Sequence, residues 1–316
     1  MGIKVSIIMS VYNGENFLNE SIQSILNQVF KDFEFIIIND CSTDSSLNII
    51  KKYAKKDKRV IIIENKKNLG LTKSLNKGLE LAKGKYIARQ DADDVASPRR
   101  LEKQYNFLEK NEDVFLVGSG AINIDEKGNV LNTRKAIADP NKIALELPKN
   151  NCIYHSSIMY RNNGQYLYRE KFPYSQDYDL YLRILSDGEQ IASLEEPLIK
   201  YRINSGAISW TKRAQQMMFA EKARDFYFQR LRYGKDEYDN FDPNEILNID
   251  VEKSTNEAIL EAEIKASFRI NNFKKTRELC KKYFKYHGYL NKALLYYLLS
   301  FFNKSFINLV RRVIFS

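Results

Sequence analysis

Histidine is nearly absent from this chain of 316 residues, which carries only His155 and His287. Two imidazoles are too few for a histidine-rich zinc site, and a Ser-His-Asp triad would have to be built around one of them. Cysteine is scarce as well. Cys41, Cys152 and Cys280 are odd in number, far apart and without Cys-x-x-Cys spacing, which argues against a zinc ribbon or a disulfide framework and fits a reducing cytoplasm. Long apolar runs are missing: the stretch Ala293 to Phe302 is ten uncharged residues, well short of the ~20 that a spanning helix needs. At the other end Ile3, Val5, Ile7 and Ile8 are interrupted by Lys4 and Ser6, with no basic n-region, so the segment reads as a strand and not a secretion signal. Metal chemistry must therefore lean on carboxylates, and the protein is expected to be cytoplasmic or peripheral at a membrane.

Charge is present in quantity and unevenly placed. The net charge is +10, and residues 279–316 hold seven Lys/Arg with no Asp or Glu. Those residues, Lys281, Lys282, Lys285, Lys292, Lys304, Arg311 and Arg312, alternate with Tyr283, Phe284, Leu294, Leu295, Phe301 and Phe306. Such interleaving suits an anionic membrane surface better than a nucleic-acid groove, although an ordinary helical subdomain with inward aromatics has the same pattern. No nucleic-acid motif accompanies the charge.

The first part of the chain alternates strand and helix signals. Residues 3–10, 33–38, 59–63 and 114–118 are short, β-branched apolar runs. Between them Leu18, Ile22, Ile25, Leu26 and Val29 recur at helical steps, as do Leu71, Leu75, Leu79 and Ala82. This predicts an α/β fold with a largely parallel, helix-covered sheet, in which ligands sit beyond the carboxyl ends of the strands. A hairpin is expected near residues 125–128, a strand near 153–160 and a helix from about Asp177 to Leu185. Two regions are expected: 1–208, divided into 1–119 and 120–208, and a helical region 209–316 with a basic amphipathic tail.

Three carboxylate groups fall at predicted ligand positions. Asp40 directly follows the 33–38 strand, ahead of Ser42 and Thr43, which can cap the next helix. Asp91-Ala92-Asp93-Asp94 follows the short strand Tyr86-Ile87-Ala88, and two carboxylates one residue apart can meet one hard cation. An acidic turn before Pro98 reads the same way. Arg89 adds a cation directed at phosphate or carboxylate. Asp177 stands at a helix start, where an acid is also expected for capping.

In order and spacing these segments resemble the family 2 glycosyltransferases over residues 3–208. The resemblance rests on Val5-Ser6-Ile7-Ile8-Met9-Ser10-Val11-Tyr12-Asn13-Gly14, Asn39-Asp40 with Ser42-Thr43-Asp44, Asn68-Leu69-Gly70, Gly84 through Asp94, and Gln176-Asp177. It implies a GT-A fold, a mixed but mainly parallel sheet, and inverting transfer of one sugar from a nucleotide-diphosphate donor, UDP-hexose or UDP-N-acetylhexosamine. The implied acceptor is a glycan or a polyprenyl-diphosphate-linked glycan of a bacterial surface polysaccharide. It further implies that Ser10, Tyr12, Asn13, Asp40, Asn68, Lys73, Arg89, Asp91 and Asp93 serve the donor, and that Asp91 and Asp93 hold Mn2+ or Mg2+. Asp177 would be the catalytic base, with His155, Asp94 and Gln176 toward the acceptor.

Gln176 replaces the family's usual Glu, Leu75 stands where many relatives have Arg, and Asn204 where a His is common. A sugar-nucleotide pyrophosphorylase would need a glycine-rich loop after the first strand, where only Gly14 is present. The non-enzymatic alternative is a basic nucleic-acid- or membrane-binding protein.

Overall fold

The computed structural model describes residues 2–203, 213–249, 257–269, 272–289 and 292–302. Asn204, Lys304, Phe306, Arg311 and Arg312, singled out above, lie outside the described residues. The chain opens with β1 (Val5–Val11), α1 (Glu15–Leu26), β2 (Phe33–Asn39), α2 (Ser46–Ala54), β3 (Val60–Glu64), α3 (Leu71–Leu81) and β4 (Tyr86–Arg89). β1 lies parallel between β2 and β4, and β3 pairs in parallel with the outer side of β2. All seven residues of β2 are buried, as expected of a strand covered on both faces. In α1 the apolar stripe Leu18, Ile22 and Ile25 packs into the core, but Val29 lies past the helix end and is 51% exposed.

The chain continues through β5 (Val95–Ala96), α4 (Arg100–Lys110), β6 (Val114–Ile124), β7 (Val130–Arg134), α5 (Pro140–Glu146), β8 (Met159–Arg161), α6 (Gln176–Ser186) and β9 (Gln190–Arg202). One nine-stranded sheet runs β3-β2-β1-β4-β8-β6-β9-β5, with β7 paired to β6. It is mixed: β8 is antiparallel to both β4 and β6, while β9 is parallel to β6. The strand expected over 153–160 is largely a 3-10 turn, His155–Ser157, followed by the short β8. The reason is local. The Ser157 hydroxyl donates to the Tyr154 carbonyl at 2.8 Å, closing a turn in place of a ladder. The long β9 has no clean sequence signal because Glu195-Glu196-Pro197 interrupts it, and its register against β6 shifts at that point.

A close approach fixes one glycine. A Cβ on Gly84 would lie 2.4 Å from the Ser6 amide nitrogen and 2.7 Å from the Val5 carbonyl carbon. The Ser6 hydroxyl accepts from the Gly84 N–H at 2.8 Å and donates to Glu34 at 2.6 Å, so the neighbouring backbone has no room to retreat. Gly84→Ala is expected to cost ~1–3 kcal/mol through overpacking, read as a lower urea midpoint. An unchanged midpoint would show that this edge yields freely.

The chain divides into two compact units: Met1–Asn204 with Lys222–Phe241, and Ser205–Glu221 with Asp242–Ser316. A boundary at 208 therefore leaves residues 222–241 on the other side from where they pack. The cause is aromatic: Phe226, Tyr238 and Phe241 surround the buried ring of Phe172, with centroids 5.8–6.3 Å away. In the second unit Leu260, Ile264, Leu279, Cys280, Tyr283, Phe284 and Ala293 form a small helical core. Tyr283 and Phe284, two of the aromatics interleaved with the basic residues of the tail, thus point inward. No helix among the described residues is long and apolar enough to cross a membrane.

Candidate active site

The carboxyl end of β1 carries Ser10, half-buried, and then Tyr12, which is exposed. Asn13 next adopts a left-handed backbone, φ 51°, and its side-chain oxygen accepts from the Thr43 N–H at 2.8 Å. The two loops cap each other's helices. Asp44 and Ser46 accept from the Glu15 and Gly14 N–H groups at the start of α1, while Glu15 accepts from the Ser45 N–H at the start of α2. Orphan amides at both helix starts are thereby satisfied.

Asp40 is buried behind this lock. Its Oδ1 accepts from Asn65 Nδ2 and the Leu69 N–H, both at 2.8 Å, and its Oδ2 from the Gly70 N–H at 2.9 Å. Asn68 Oδ1 also accepts from the Gly70 N–H at 3.0 Å, so Asp40 organises the loop that carries Asn68. Lys73, on α3, is half-exposed and lies 3.6 Å from Glu170. Leu75 is fully buried in the fold, so the position where relatives carry Arg is here a packing position.

The acidic turn after β4 rests on buried cations. Arg89 is 1% exposed and donates to Asp91 Oδ1 at 2.6 Å, to the Ile8 carbonyl at 3.0 Å, and to the Gln90 carbonyl. Beneath it the fully buried Arg100 donates to Gln90 Oε1 at 2.8 Å and to the Arg89 carbonyl at 2.6 Å. Asp93 remains half-buried beside Asp91. Desolvation and then the Asp91 charge push its carboxyl up to about 6.

Asp94, expected toward the acceptor, is instead 1% exposed. One oxygen accepts from the Arg202 N–H at 2.8 Å and the other from the Ser156 hydroxyl, so it fastens the acidic turn to β9 and to the 3-10 turn. Arg202 completes the latch, donating to the Asp93 carbonyl at 2.9 Å, to the Asp125 and Glu126 carbonyls, and to Glu20. Asp94→Ala leaves two buried donors without a partner and is expected to cost ~2–5 kcal/mol, measured by denaturant titration. A cost within ~0.5 kcal/mol would remove the latch from the account.

Asp177 and Asp179 share the first turn of α6 but differ in surroundings. Asp179 is 1% exposed and consumed by Arg183 at 3.0 Å and Arg169 at 3.5 Å. No Lys or Arg among the described residues pairs with Asp177, whose Oδ2 accepts from Asn151 Nδ2 at 2.9 Å. Burial, with a contribution from Asp91, raises its carboxyl above the ordinary value against the opposing hydrogen bonds. Gln176 beside it is buried. His155 Nε2 lies 2.7 Å from the Tyr168 hydroxyl, and burial followed by the Arg89 charge pulls the imidazole down to about 3, so it is neutral at physiological pH.

Ser156 and Arg202 hold the 3-10 turn and the end of β9 against the acidic turn after β4, and the Asp91 charge acts on Asp93, Asp94, His155, Asp177 and Tyr201. Helix α1 joins them, because the Ser21 hydroxyl on its buried face donates to the Asp91 carbonyl at 2.8 Å. The left-handed non-glycine residues among those described, Asn13, Cys41 and Ser175, stand beside Tyr12, Asp40 and Gln176, and such backbone gathers at functional sites. Among the described residues no three His, Cys, Asp or Glu side chains form a metal-holding cluster.

The model of the glycosyl transferase family 2 matches residues 6–172, just over half of the chain. The chain belongs to that family. The uncharacterized glycosyltransferase MJ1057 of Methanocaldococcus jannaschii is 43% identical over 208 residues, 63% of this chain and 70% of the relative. The O-antigen biosynthesis glycosyltransferase WbnJ of Escherichia coli is 36% identical over 235 residues, 72% of this chain and 90% of the relative. The crystal structure of S. aureus TarS 1–349 in complex with UDP-GlcNAc superposes over 94% of this chain and 90% of that one, with a TM-score of 0.58 at 17% identity. That likeness is one of fold, and this glycosyltransferase has the GT-A type of α/β fold with added C-terminal helices. Membership sets aside the pyrophosphorylase and the non-enzymatic readings.

Proposed function

We propose that this glycosyltransferase is inverting and metal-dependent, moving one sugar from a UDP-hexose or UDP-N-acetylhexosamine to a glycan or polyprenyl-diphosphate-linked glycan. The observation that carries the reading is the contrast between two acidic groups around one site. Asp91 and Asp93 are crowded carboxylates resting on buried arginines, whereas Asp177 is a raised carboxylate with which no Lys or Arg among the described residues pairs. The first arrangement suits a cation and a diphosphate, and the second suits a base.

Mn2+ or Mg2+ fits the Asp91–Asp93 pair on the chemistry of its donors: hard oxygens, and a mutual repulsion that a divalent cation relieves. When bound, such a cation stabilises the negative charge gathering on the leaving diphosphate. Ser10, Tyr12, Asn13, Asp40, Asn68 and Lys73 line the nucleoside side, with Asp40 acting through the loop it organises. Arg89 holds Asp91 in place. In the transfer step the bond between the anomeric carbon and the diphosphate oxygen breaks as the acceptor oxygen bonds that carbon from the opposite face. The acceptor's proton passes to Asp177, which Asn151 orients. His155, neutral and bonded to Tyr168, acts as a hydrogen-bonding wall and not as a proton carrier.

The O-antigen role in the name of WbnJ supports placing the reaction in surface-polysaccharide assembly, and the UDP-GlcNAc bound to TarS supports the UDP donor. The test is a screen of UDP-, GDP- and dTDP-sugars for slow donor hydrolysis with Mn2+ and with excess chelator. Hydrolysis confined to UDP-sugars and lost in chelator is expected. Full activity in chelator, or preference for GDP- or dTDP-sugars, would overturn the corresponding part of the reading.

A further inference from the structure

The second unit keeps more apolar surface outside than its core requires. Its interior is already built from Leu260, Ile264, Leu279, Cys280, Tyr283 and Phe284, yet Tyr286, Tyr289, Leu298, Phe301 and Phe302 are about half to two-thirds exposed. Two of these rings are joined to the core by ring contacts. Phe284 stacks on Tyr289 at 4.8 Å and meets Tyr297 at 5.6 Å, and Tyr297 meets Phe301 at 5.2 Å. A ladder of rings thus runs from the core to the exposed rings of Tyr289 and Phe301.

Cations border the exposed rings. The Arg277 guanidinium lies 4.9 Å from the centre of the Phe301 ring while donating to the Ser300 carbonyl, and Lys285 Nζ lies 5.4 Å from the Tyr286 ring. Lys281, one turn before Lys285 on the helix Phe273–His287, is exposed as well. The acid on that helix is Glu278, and the sequence beyond it has none. Exposed rings with cations at their edges match a bilayer interface, where apolar side chains sink to headgroup level and ammonium or guanidinium groups meet lipid phosphates. With no helix among the described residues long and apolar enough to span, the surface suits lying on a membrane.

We infer that this helical unit docks on an anionic phospholipid bilayer through Tyr289, Leu298, Phe301 and Phe302, with Lys281 and Lys285 at the lipid phosphates. The inference rests on the proposed function only for the reason to visit a membrane, namely a lipid-linked acceptor. Vesicle binding is read without any sugar donor, so its outcome stands apart from that of the donor screen.

The test is co-flotation of the full chain with vesicles of phosphatidylglycerol and phosphatidylcholine in equal parts, against phosphatidylcholine alone. Binding to the anionic vesicles that weakens steeply with added salt is expected. Lys281→Gln with Lys285→Gln should weaken it about 25-fold, since each basic residue near such a surface contributes roughly fivefold. Phe301→Ser with Phe302→Ser tests the apolar part independently and should also release the protein. Donor hydrolysis in solution should be unchanged in both variants. Equal binding to neutral vesicles, or undiminished binding in both variants, would overturn the inference. So would a lipid-free shift from oligomer to monomer in the aromatic variant without loss of vesicle binding, which would make the face a contact between copies.

Discussion

Asp177→Asn is expected to lower the turnover of transfer by ~10²–10⁴-fold while leaving donor affinity within about twofold, because only proton removal from the acceptor is lost. The amide is isosteric and can keep the contact with Asn151, so the fold has little reason to change. Steady-state kcat and calorimetric titration with the UDP-sugar separate the two effects. Since burial raises the Asp177 carboxyl, the acid limb of the wild-type rate should lie above the ordinary carboxylate value of ~4 and rise with pH as the base ionises. Collapse of donor binding alongside turnover would make Asp177 a structural residue. Asp179→Asn offers the contrast, since its arginine pairs predict a loss of stability more than a loss of rate on bound substrate.

Asp93→Asn should reduce transfer by roughly 10²–10³-fold or more and remove the response to metal. Its pH behaviour gives a second readout. The Asp93 carboxyl is held up to about 6, so in chelator the stability that its protonation confers is full below ~4 and lost as pH rises through 6. Mn2+ should oppose that loss. The metal-induced rise in Tm is therefore expected to be small at about pH 5 and larger at about pH 7 in the wild type, and absent in the variant. A variant that still gains stability from Mn2+ would place the cation elsewhere.

Much of the β1-to-α3 part of the candidate site was legible because its signals are local. A strand of β-branched residues, a polar turn and an amphipathic helix repeat along β1 to α3, and each carboxylate falls where a strand ends. The environments were not legible. Asp91, Asp93 and Asp94 look alike in sequence, and their separation into an arginine-held carboxylate, a raised carboxylate and a buried strut depends on partners up to 109 residues away. Asp177 and Asp179 are likewise equivalent on paper until Arg169 and Arg183 claim one of them. Arg202 gives no signal in the sequence, since a lone arginine at the end of a strand carries no pattern. Asn151, in a polar loop, had no signal at all. The residues 222–241 were misplaced for a related reason: helical periodicity tells which face is apolar and not which core will receive it.

The latch joining Asp94 to Ser156 and Arg202 bears on how the molecule can be taken apart. The halves 1–119 and 120–208 do not make separable modules, because β4 needs β8, β5 needs β9, and Gln104 of α4 donates to the Ser157 carbonyl across the divide. A gene fragment ending near residue 119 would strand those groups, so chimaeras that exchange this unit between relatives should join beyond Phe241, because residues 222–241 pack on Phe172 as well. The β6–β7 hairpin is a poor place for an inserted label despite its exposed strand, because the carbonyls of Asp125 and Glu126 are held by Arg202. A tag placed there would tug on the same arginine that steadies Asp93.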